Sequence, residues 1–113
     1  MKLSFISALL LGAVAAYAQQ GLPRMTSVDP LNGKKGDVIV ITGENLDKDQ
    51  VDKVFLTDGK NDTIVEVVEQ SATTIKFKIP EKAASGSRLA LMILTSGKDA
   101  RYIEQPVKVT IEN

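Results

Sequence analysis

Beyond Gly21 the apolar residues recur in short runs with a period of two, and no helical period is sustained. The run Thr73 to Ile79 shows this best. Ile75, Phe77 and Ile79 share one face of an extended chain, with Lys76 and Lys78 on the other, as in a strand with one face buried. The run Pro106 to Glu112 repeats it: Val107, Val109 and Ile111 point one way and Lys108, Thr110 and Glu112 the other. Turn formers separate the runs at Asp58-Gly59-Lys60-Asn61, Ser85-Gly86-Ser87 and Ser96-Gly97-Lys98-Asp99. The pattern predicts strands near residues 25–28, 37–42, 51–57, 63–69, 73–79, 88–95 and 102–112. About seven short strands in a chain of this length predict an all-β fold, a sandwich of two sheets.

The stretch Ser27 to Leu46, SVDPLNGKKGDVIVITGENL, carries backbone signals in order. Pro30 cannot donate to a ladder and restricts Asp29, so a first strand ends at Val28. Gly33 and Gly36 then permit a tight reversal through positive φ. VIVIT follows as a strand apolar on both faces, suited to a central position, and Gly43 releases the chain into a polar loop. With its flanking residues, PRMTSVDPLNGKKGDVIVITGENL resembles the opening of an IPT/TIG domain. VDKVFL, SATTIKFKIPEKAASG and LALMILTSGKDA resemble that family's later strands, in the same order. Leu46 stands where the family usually has an aromatic residue, Asp37 where it often has Gly, Ser or Thr, and Lys34-Lys35 precede the second glycine. The resemblance implies an immunoglobulin-like β-sandwich. It also implies a binding role, since members serve in dimerisation, in receptor ectodomains and as accessory modules of polysaccharide-acting enzymes.

The N-terminus follows another pattern. Lys2, the apolar run LSFISALLLGAVAA and the small residues of Ala16-Tyr17-Ala18 together form a signal peptide over residues 1–18. A single domain, residues 19–113, is then expected in a secreted or periplasmic setting. No later run is long and apolar enough to span a bilayer, so no stable membrane insertion is expected after cleavage. The chain has no cysteine, which excludes a lipid-anchored lipoprotein and any disulfide. Its 14 basic and 14 acidic residues leave near-zero charge with or without Lys2, so nothing favours nucleic acid as a partner.

The side-chain inventory bears on chemistry. Without histidine or cysteine the usual general base, thiolate nucleophile and zinc ligands are missing, so classical triads are excluded. A carboxylate pair would need a substrate cleft that so small a domain hardly forms. The sequence therefore predicts a non-catalytic module with no required cofactor.

Three features are candidate contact sites. Asp47, Asp49 and Asp52 crowd oxygen ligands into one segment and could hold calcium, although the spacing lacks the glycine and distal glutamate of an EF-hand. A solvated acidic turn is the alternative. In LALMILT, Leu89, Leu91 and Ile93 take one face, and Ala90, Met92 and Leu94 the other. The second set is either covered by neighbouring strands or open as an interface with a protein partner or a second copy. Tyr102 is the one aromatic residue placed for stacking on a sugar ring, since Phe77 reads as core. Protein contact at the cell surface ranks first and an accessory carbohydrate-binding role second. Pro106 is expected to interrupt the last strand and to guard its edge against open-ended pairing.

Overall fold

The computed structural model describes residues 22–113. The expected signal peptide, residues 1–18, and the expected domain start at Gln19 lie outside them. The elements are β1 (Arg24–Asp29), β2 (Asn32–Gly33), β3 (Val38–Glu44), β4 (Val51–Thr57), β5 (Asp62–Ile64), β6 (Glu66–Gln70), β7 (Thr74–Lys78), β8 (Arg88–Thr95) and β9 (Tyr102–Ile111). They form a four-stranded sheet, β1-β3-β7-β6, and a five-stranded sheet, β2-β9-β8-β4-β5. Every pairing is antiparallel except that of β2 with β9. The predicted all-β sandwich of immunoglobulin-like form is what the chain adopts.

The inward sets predicted from alternation close the core between the sheets. Ile39, Ile41, Ile75 and Phe77 from one sheet meet Leu56, Leu91, Ile93 and Ile111 from the other, all fully buried. Two side-chain amides tie the ends of this core. Gln105 turns inward from β9, and its Oε1 accepts the Met25 N–H of β1 at 2.7 Å, joining the two sheets. Gln70 Nε2 donates to the carbonyls of Leu46 (2.7 Å) and Val51 (3.2 Å), pinning the β3–β4 loop.

Several local expectations are corrected. The run near 63–69 is two strands, because the chain changes sheets at Val65. The Val65 N–H still donates to the Val54 carbonyl of the five-stranded sheet at 3.0 Å, while Glu66 already pairs with Lys78 in the other. Residues 32–33 form the short parallel strand β2 rather than a reversal. Gly36 does take positive φ, 89°, but Gly33 serves a different need: a Cβ there would press on Ile79 Cδ1 at 3.0 Å. Gly43 lies within β3, where β1 crosses so closely that a Cβ would fall 2.1 Å from the Arg24 carbonyl oxygen. Leu46, in place of an aromatic residue, is fully buried. Finally, Pro106 does not interrupt β9. The strand runs through it, and the extra residues bulge where Ala90 pairs with Lys108 and Met92 with Glu104.

Candidate functional site

A sandwich buries one face of each sheet and exposes the other, and alternation decides what each outer face carries. On the four-stranded sheet the outward neighbours across β6 and β7 are charged pairs, Glu66 beside Lys78 and Glu69 beside Lys76, and Val38 and Val40 of β3 lie across from the same lysines. The Lys76 ammonium and the Glu69 carboxylate are 3.5 Å apart.

The five-stranded sheet differs. Register sets Ile64, Phe55, Met92 and Glu104 in one outward row across β5, β4, β8 and β9. Lys53, Leu94 and Tyr102 form the next, and Thr57, Ala90 and Lys108 the third. The rings of Phe55 and Tyr102 stand 5.7 Å apart, centroid to centroid, tilted by 60°. This is the tilted geometry that aromatic quadrupoles favour. Their strands flank β8 and so lie about 10 Å apart by strand spacing, which means the rings meet above β8.

That roof explains the exposures. Ala90 and Met92 keep only 6% and 9% of their surface, and Leu94 is half-buried, although all three face outward. The accessible apolar surface belongs to the flanking strands, with Ile64 53% and Tyr102 60% exposed. Sequence reasoning placed the outward set of β8 beside the apolar residues of VDKVFLT and TIVEVV without singling out Phe55 and Ile64. Their own strands show apolar residues there, but only the cross-strand register brings them beside Met92.

The other candidate did not assemble. Asp47, Asp49 and Asp52 do not converge, and among the described residues no three acidic side chains are grouped to hold a metal ion. The Asp47 carbonyl instead accepts the N–H groups of Gln50 (2.9 Å) and Val51 (2.8 Å), closing a turn, and Asp52 projects from β4. The Asp58 carboxyl is shifted. Hydrogen bonds from the backbone N–H groups of Asn61 and Lys60 hold its pKa below the usual value in the β4–β5 turn.

A cleft of about 570 Å³ opens where the chain changes sheets, between Ile64–Glu66 and Lys78–Glu81. A second, of about 370 Å³, lies between β1 and β9. Tyr102 lines neither.

Two sheets in this strand order, with β2 leaving the first strand's sheet to pair parallel with the last, define an immunoglobulin-like sandwich. The chain belongs to the IPT/TIG domain family, whose sequence profile matches residues 23–111. No curated protein matches it. Among solved structures it is similar to a structural genomics protein of unknown function from Bacteroides thetaiotaomicron, with 19% identity and a TM-score of 0.64 over 80% of this chain and 22% of that one. It is also similar to a gamma-CGTase from alkalophilic Bacillus clarkii, with 22% identity and a TM-score of 0.62 over 80% of this chain and 12% of that one. An auxiliary nutrient binding protein from Bacteroides ovatus matches with 20% identity and a TM-score of 0.55, over 80% and 21% of the two chains. The chain thus spans well under a third of each of these proteins, and the likeness concerns the fold alone.

Proposed function

We propose that this chain is an exported, non-catalytic binding module that meets another protein, in the first instance a second copy of itself, at or near the cell surface. The carrying observation is the roofed apolar face of the five-stranded sheet, with Phe55 and Tyr102 at its centre and Ile64 at its rim. Large amphipathic rings on a flat face suit a protein contact, because they bring much apolar area with few rotamers to fix. Charge supports the second copy. Lys53 borders the face on β4, and Glu104 lies on β9 one row from Lys108, so a copy turned over about the strand direction brings Lys53 towards the β9 border that holds Glu104.

Light scattering on the purified protein across a dilution series tests this. A dimer that dissociates on dilution and is lost in Tyr102→Glu supports the reading. A monomer at every concentration removes self-association. The second reading, an accessory carbohydrate-binding role, draws on the exposure of Tyr102 and on the similar fold within a nutrient-binding protein. Retardation of the monomer in polysaccharide-loaded gels, lost in the same variant, would decide for it.

A further inference from the structure

The edge of the five-stranded sheet beside β9 is only partly covered. β2 pairs with β9 at Thr110 and Ile111, and among the described residues no strand pairs with Tyr102–Lys108 on that side, although β1 packs against β9 there through the Met25 N–H on the Gln105 side chain. The Thr110 and Glu112 N–H groups donate to the Leu31 and Gly33 carbonyls on the β2 side, whereas the Ile111 N–H donates to Ser87 on the β8 side. By that alternation the Lys108 N–H and carbonyl point to the open edge, and Pro106, in the bulge beyond, offers no donor. Beneath them runs the 370 Å³ cleft between β1 and β9, floored by Val28, Leu31, Pro106 and Val107. Leu31 is 65% exposed. Arg88 and Lys108 are the charged residues of this lining, both basic, with no carboxylate among them.

We propose that this groove takes an extended, acidic segment of a partner protein, laid along β9 in line with β2. This surface lies at the β9 edge, next to the sheet face proposed above and sharing Lys108 with it. One backbone donor and one acceptor give such a segment a short parallel ladder. Its side chains then alternate, so that one set enters the apolar floor while the other turns outward beside Lys108 and within reach of Arg88. The cations make that outward set acidic. Pro106 ends the ladder after a residue or two, so the groove accepts a segment without templating a growing sheet.

The test uses the purified protein and a fluorescein-labelled decapeptide of alternating glutamate and valine, followed by anisotropy and by amide chemical shifts. Saturable binding is expected, with shifts confined to Thr26–Val28, Arg88 and Val107–Lys108. Affinity is expected to fall about tenfold or more in the doubly substituted Arg88→Glu, Lys108→Glu protein and on raising salt from about 0.05 to 0.5 M. Equal binding of a lysine-valine peptide, shifts elsewhere, or no binding at millimolar peptide would overturn the proposal. So would tighter binding of polygalacturonate than of the peptide, which would make the groove a site for acidic glycans. Shift mapping on the unsubstituted protein decides the matter even where the charge reversals fold poorly.

Discussion

The two outer faces of this sandwich are built by the same alternation, yet they carry different chemistry. The outer face of β7 and β6 presents Lys76, Lys78, Glu66 and Glu69 as cross-strand charge pairs. The outer face of β4, β8 and β9 presents Phe55, Met92, Leu94 and Tyr102. Charge pairs over an exposed sheet keep it solvated and add little stability, because solvent screens them. A strip of rings over an outer sheet adds solubility risk. The inward faces are equally apolar on both sheets, so the contrast is not a requirement of folding.

Substitutions can break or sharpen this contrast. The largest effect is expected from Gly43→Ala, which drives a methyl into the Arg24 carbonyl and pushes β1 off the charged sheet; urea unfolding should lose about 3 kcal/mol or more. Gln105→Leu cuts the tie between the two sheets and leaves the buried Met25 N–H without its acceptor. A loss of about 1–3 kcal/mol is expected by the same assay. Tyr102→Glu should cost about 0.5–1.5 kcal/mol, the worth of its pairing with Phe55, while abolishing self-association, and Lys76→Glu should leave association intact; a reversed outcome would exchange the roles of the two faces. Glu69→Ala should change stability by less than about 1 kcal/mol, since its ion pair is exposed.

The smallest effect concerns acid. The Asp58 pKa is depressed in the fold, so its turn hydrogen bonds contribute above the ordinary aspartate value of about 4 and are lost as pH falls through the lower folded value. Asp58→Asn should lower the melting temperature slightly at neutrality, where the charged acceptor is lost, and make little difference in acid, where Asp58 is itself protonated.

Most of the fold was legible because half-buried strands announce their inner face, as Ile75-Phe77 and Val107-Val109-Ile111 do. The glycine and proline punctuation of Ser27 to Leu46 was enough to point to the family. Val65 was illegible as a break, since it is apolar in an apolar run, and only the partner strands reveal that it ends one sheet and begins the next. Gly33 and Gly43 were read as turn residues, but their need is close approach by Ile79 and by the backbone of β1, which a sequence does not display. Gln105 did carry a signal. It occupies the inward phase between Ile103 and Val107, and a polar residue there announces a buried hydrogen bond. The outer face was half legible: β8 named its own outward residues, while the roof over them depends on register across three strands.

The parallel pairing of β2 with β9 also has a mechanical meaning. The two strands run in the same direction but belong to opposite ends of the described chain, so tension between those ends slides one past the other. The Thr110–Leu31 and Glu112–Gly33 bonds and the Asn32 amide on the Glu112 carboxylate would then be loaded together in shear, not peeled in turn. Small as it is, β2 is a clasp that resists being drawn out.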